Sequence, residues 1–83
     1  MQKKMSNFDF STGFNFKWED GFSIKVEIIE GDVTLKANKE GLISLSNHLL
    51  NLSRDEFWSG YHFHLDESNS LEDGSVEIII EKI

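Results

Sequence analysis

The sequence predicts an α+β domain, a five-stranded and mostly antiparallel sheet in the order β-β-β-α-β-β with one helix packed on one face. Three observations lead there. Apolar and polar side chains alternate in several separate stretches, the period of strands with one buried face. The segment around Leu42–Leu52 changes to spacings of three and four, the helical period. Asp-Gly and Glu-Gly-Asp sequences punctuate the stretches where hairpin turns need them. A single helix over one sheet face is the simplest way to bury all these apolar faces together. With 83 residues there is room for one domain, 1–83, and no second.

The elements follow in order. Residues 1–7, MQKKMSN, are polar and are expected to fray. Phe8, Phe10, Phe14, Phe16 and Trp18 occupy alternate positions, broken by Ser11-Thr12-Gly13, so the first strand is placed at Phe14–Glu19. Asp20-Gly21 then turns the chain into Phe22–Ile29, with Phe22, Ile24, Val26 and Ile28 on one face. After Glu30-Gly31-Asp32, a third strand carries Val33, Leu35 and Ala37. Asn38 is placed as the N-cap of a helix spanning Lys39–Ser53. Leu42, Leu45, Leu49 and Leu52, widened by Ile43 and Leu50, form its apolar arc, and Leu45, Leu49 and Leu52 are expected to face Ile24, Val26, Phe63 and Ile78. Ser46 and Ser53 fall within that arc and would let the helix lie close to the sheet. Arg54–Gly60 is a loop with two large aromatics. Tyr61, Phe63 and Leu65 alternate with His62, His64 and Asp66 in a fourth strand, Glu67–Gly74 is polar and turn-rich, and Ser75–Lys82 is the fifth strand.

Composition excludes several functions. The absence of cysteine removes disulfides, thiol catalysis and thiolate metal sites. No apolar run reaches the roughly 20 residues of a membrane span, and no apolar leader precedes Phe8, as expected of a bacterial cytoplasmic protein. Fifteen acids against eight bases give a net charge of −7, which disfavours nucleic acid as a partner. The charge is uneven. Up to residue 41 acids and bases nearly balance, whereas eight acids face two bases from residue 42 onward. That negative half would steer a basic partner.

Candidate chemistry is sparse. His62, His64 and Asp66 share one strand face, a donor set that metals use. A site would need further ligands converging from elsewhere. His48 lies on the helix, expected on the opposite side of the sheet, so no metal or other cofactor is assigned. His48 itself is expected at the helix boundary, bonded to a loop carbonyl. No serine sits in a nucleophile elbow, no glycine run matches a phosphate loop, and no acid–base pair is evident. The glycines read as backbone punctuation, with Gly41 opening the helix. Trp58 and Tyr61 read either as interface anchors or as a cap on the core. These residues point to no enzyme. A small ligand- or metal-binding domain, or an oligomerisation module, stays open, as does self-association.

Three blocks carry a resemblance: Gly41-Leu-x-x-Leu45-x-x-His48-Leu-x-x-Leu52, then His62-x-His64-Leu65-Asp66, then Gly74-Ser75-x-Glu77-Ile78-x-Ile80, together with the preceding strand Val33–Asn38. The chain resembles the immunity protein 32 family of bacterial polymorphic toxin systems. The resemblance implies a small α+β protein that binds and neutralises a cognate toxin without catalysis. Charge adds the expectation that the toxin is basic. The expected contact residues are Asp66, Glu67, Glu72 and Asp73 on the acidic connection, with His62, His64 and Trp58 beside it.

Overall fold

The computed structural model describes residues 16–83. The frayed end 1–7 and the aromatic alternation from Phe8 to Phe14 lie outside the described residues. Within them the chain runs β1 (Ile24–Ile29), β2 (Asp32–Ala37), α1 (Lys39–Leu52), β3 (His62–Leu65) and β4 (Ile78–Glu81). The α+β class, the one helix and the antiparallel pairing agree with the sequence reading. The single five-stranded sheet does not. Among the described residues there are four strands in two two-stranded sheets, β1-β2 and β3-β4.

Hydrogen bonding explains the difference. A strand at Phe14–Glu19 would need the outer edge of β1, and residues 72–76 hold it. The Glu72 and Val76 amides donate to the Ile24 and Val26 carbonyls, and the Val26 amide donates to Ser75 Oγ. The expected strand Ser75–Lys82 is thereby divided, its start on β1 and only Ile78–Glu81 on β3. Phe16–Glu19 is not a strand. The Glu19 amide donates instead to Ser44 Oγ on the helix, at 2.8 Å.

The β1–β2 hairpin turns on Glu30 and Gly31, both at positive φ (51° and 85°). Two such residues make the turn whose twist matches that of the strands. Asn38 caps α1 as expected. Its Oδ1 accepts from the Gly41 amide at 2.8 Å and from the Ser23 amide at 3.0 Å, and its Nδ2 donates to the Gly21 carbonyl. The helix ends at Leu52, with Ser53 as its C-cap. Its last turn carries no basic residue. Lys82, just beyond β4, donates to the carbonyls of Arg54 and Phe57 in the loop that follows the helix, at 2.8 and 2.9 Å.

The core consists of Ile24, Val26, Leu52, Phe57, Phe63, Leu65 and Leu71. The phase of the helix departs from the expectation. Gly41, Ser44, His48 and Leu52 are buried, whereas Leu49 is 43 % exposed and Ser46 lies on the surface. Leu45 is partly buried against the core. The cause is close approach. A Cβ on Gly41 would lie 2.6 Å from the Ser23 carbonyl oxygen, so only glycine allows the helix to sit where it does.

Candidate protein-binding surface

Strand β3 alternates strictly, with Phe63 and Leu65 buried and His62 and His64 exposed. In the β3–β4 register His62 stands opposite Glu81 and His64 opposite Ile79. The two imidazoles are 5.4 Å apart. His62 Nδ1–H donates to the Gly60 carbonyl at 2.9 Å and His64 Nδ1–H to Glu77 Oε2 at 2.8 Å. Both Nδ1 atoms are therefore engaged. Among the described residues no group of three or more histidine, aspartate or glutamate side chains is placed to hold a metal ion.

Trp58 precedes this strand, 59 % exposed, its ring packed edge-on against Tyr61 at 4.9 Å. Its neighbour Phe57 is the aromatic of that loop which enters the core. At the other end of β3, Asp66 begins the acidic connection. The Ser68 hydroxyl, helped by the Ser68 and Asn69 amides, holds the Asp66 carboxyl below its usual range. Asp66, Glu67, Ser68, Ser75 and Glu77 line one open depression, which joins the acidic turn to the histidine face through Glu77.

The four carboxylates singled out in the sequence do not form one cluster. Asp66 organises its own turn, and Glu67 accepts the Gly74 amide at 2.6 Å. Glu72 accepts from Ser23 Oγ at 3.2 Å and, with Asp73, borders a second depression also lined by Lys25, Lys36 and Asn38. Three of the four thus have local structural partners, and two border a depression that lysines also line. Sequence reasoning missed Leu71. Hidden in a polar turn-rich stretch, it is buried at 4 % exposure and anchors the connection to the core.

His48 also departs from its expected place. It is fully buried, and neither ring nitrogen has a hydrogen-bond partner among the described residues. The rings of Trp18, Phe16 and Phe63 stand edge-on to it, at 4.4, 4.9 and 6.3 Å. Burial lowers its pKa to about 4, so the ring is neutral near pH 7. This is a packing residue, remote in role from the exposed histidines.

No helix among the described residues is long and apolar enough to cross a membrane. The geometry defines a small α+β protein with, among the described residues, one helix, antiparallel strands and an exposed face bearing aromatic, imidazole and carboxylate groups. The chain belongs to the immunity protein 32 family (Imm32), whose family model matches residues 32–83. That span opens on the first residue of β2 and takes in α1, β3 and β4. No curated protein and no solved structure matches the chain.

Proposed function

We propose that this chain is the immunity partner of a bacterial toxin in a polymorphic toxin system, acting in the cytoplasm by binding the toxin rather than by catalysis. The family match over residues 32–83 carries this reading. Its contact surface is the outer face of β3–β4, with Trp58 at one end, His62, His64, Ile79, Glu77 and Glu81 across the middle, and Asp66 and Glu67 at the other end. An exposed tryptophan is among the residue types most often found as an interface anchor, and Trp58 supplies one at the end of this face. Glu72 and Asp73 extend the negative field around the connection. The net charge of −7 favours a basic toxin, since complementary fields raise the association rate.

The test is co-expression with the toxin encoded beside this chain. Growth is expected to be restored and a complex of the two proteins recovered. Trp58→Ala should weaken that complex at least tenfold. Joint reversal of Glu77 and Glu81 should slow association, most strongly at low salt. Rescue that persists unchanged in all three substitutions combined would move the contact elsewhere. Absence of any complex with the toxin would refute the reading.

A further inference from the structure

The outer edge of β2 has main-chain groups to offer. The Ile24 and Val26 carbonyls accept bonds from residues 72–76, so the peptide groups of Ile24 and Val26 point away from β2. In an antiparallel ladder the bonded pairs are then Lys25 with Lys36, Glu27 with Thr34 and Ile29 with Asp32. The amides and carbonyls of Val33 and Leu35 accordingly point outward, and none has a hydrogen-bond partner among the described residues. The same two side chains are 68 % and 37 % exposed. An open edge with apolar side chains is a template for strand addition.

We propose that β2 pairs with β2 of a second copy, antiparallel across a two-fold axis at Thr34, joining the two hairpins into one four-stranded sheet. The sequence of β2, Asp-Val-Thr-Leu-Lys-Ala, is self-complementary in that register. Thr34 meets its own counterpart, Val33 exchanges main-chain bonds with Leu35 of the other copy, and Asp32 stands opposite Lys36 of the other copy. Threonine pairs, apolar pairs and opposite charges are the cross-strand combinations that stabilise a sheet. A lysine on an edge normally guards against pairing, but here the register sets a carboxylate against it. Residues 24–37 carry two lysines against three acids, so charge repulsion between two copies is weak along this hairpin. The two-fold makes the contact closed, giving a dimer and no fibre.

Sedimentation velocity of the full chain over a concentration series is expected to give a mass approaching twice that of the chain. Leu35→Pro removes an outward amide without removing a bond to β1, and should leave a folded monomer. D32K and K36D each place like charges opposite one another and should raise the dimer dissociation constant about tenfold or more. An equimolar mixture of those two variants restores opposite charges at both positions, so it should dimerise as the wild type does. This arm holds even if Leu35→Pro fails to fold. The proposal is overturned if the wild type stays monomeric throughout. It is equally overturned if the dimer is indifferent to both charge variants, or if their mixture does not recover it.

Discussion

Along α1, the buried face carries Gly41, Ser44, His48 and Leu52, whereas the face with Leu42, Ile43, Leu49 and Leu50 is 40–67 % exposed. Ranked by hydrophobicity alone, these faces would be exchanged. The buried face wins because its residues satisfy what surrounds them. Gly41 admits the Ser23 carbonyl. Ser44 Oγ accepts from the Glu19 amide and donates to the Glu40 carbonyl, so neither hydroxyl nor amide is left unpaired. His48 fills a space walled by three aromatic rings. A leucine in the place of Gly41 would collide with backbone, and backbone cannot move aside as a side chain can. Spacing therefore identifies a helix reliably but not which of two apolar sides meets its neighbour.

The contrast can be broken at its strongest point by truncation. Leu52→Ala should cost about 2–5 kcal/mol in a urea melt, as expected for a buried leucine. A loss below roughly 0.5 kcal/mol, the range of surface substitutions, would mean that the helix is turned the other way.

Acid should act through His48 with nearly as large an effect. The unfolded chain protonates this ring at its ordinary value of 6.5, the folded chain only at about 4. Stability from keeping the ring neutral is complete above pH 6.5 and is lost as pH falls from there to about 4. That difference corresponds to roughly 3 kcal/mol. Melts of the wild type and of His48→Leu across this range should diverge, the variant lacking this share of the acid sensitivity. Parallel curves would show that His48 titrates normally and is not enclosed.

Gly41→Ala should cost about 1–3 kcal/mol despite the better helix propensity of alanine, because the added methyl meets the Ser23 carbonyl. A stabilised variant would remove the close-approach explanation for the phase of the helix. Asn38→Ala should cost about 1 kcal/mol by opening the N-cap and its tie to Gly21 and Ser23. At the small end, Leu50→Ala should change stability by no more than about 0.5 kcal/mol. A large loss there would show that the exposed face is covered in solution.

The start and near-end of the helix, its cap, the β1–β2 hairpin and the alternation of β3 were legible in the sequence because each depends on residues a few positions apart. Asn38 needs only the amides just after it. Glu30-Gly31 needs only its own backbone freedom. The union of five strands in one sheet was not legible, since it depends on which distant segment reaches the β1 edge first. Residues 72–76 take it through hydrogen bonds that no periodicity announces. At the candidate surface, the exposure of His62 and His64 followed from strand parity. Parity could not show that Glu77 holds His64, or that Glu72 and Asp73 border one depression and Asp66 and Glu67 another.

Local chemistry thus determined by itself that the described residues make one helix and antiparallel strands, and the order of residues carried the chain's membership of an immunity protein family. The tertiary structure alone decided that His48 is a neutral core residue, that Leu49 and Leu50 face outward, and that Lys82 ties down the loop after the helix through the Arg54 and Phe57 carbonyls. The physical reason is range. Propensity and periodicity act over one or two turns of chain. Burial and the pairing of polar groups are instead set by whichever segments arrive together in space.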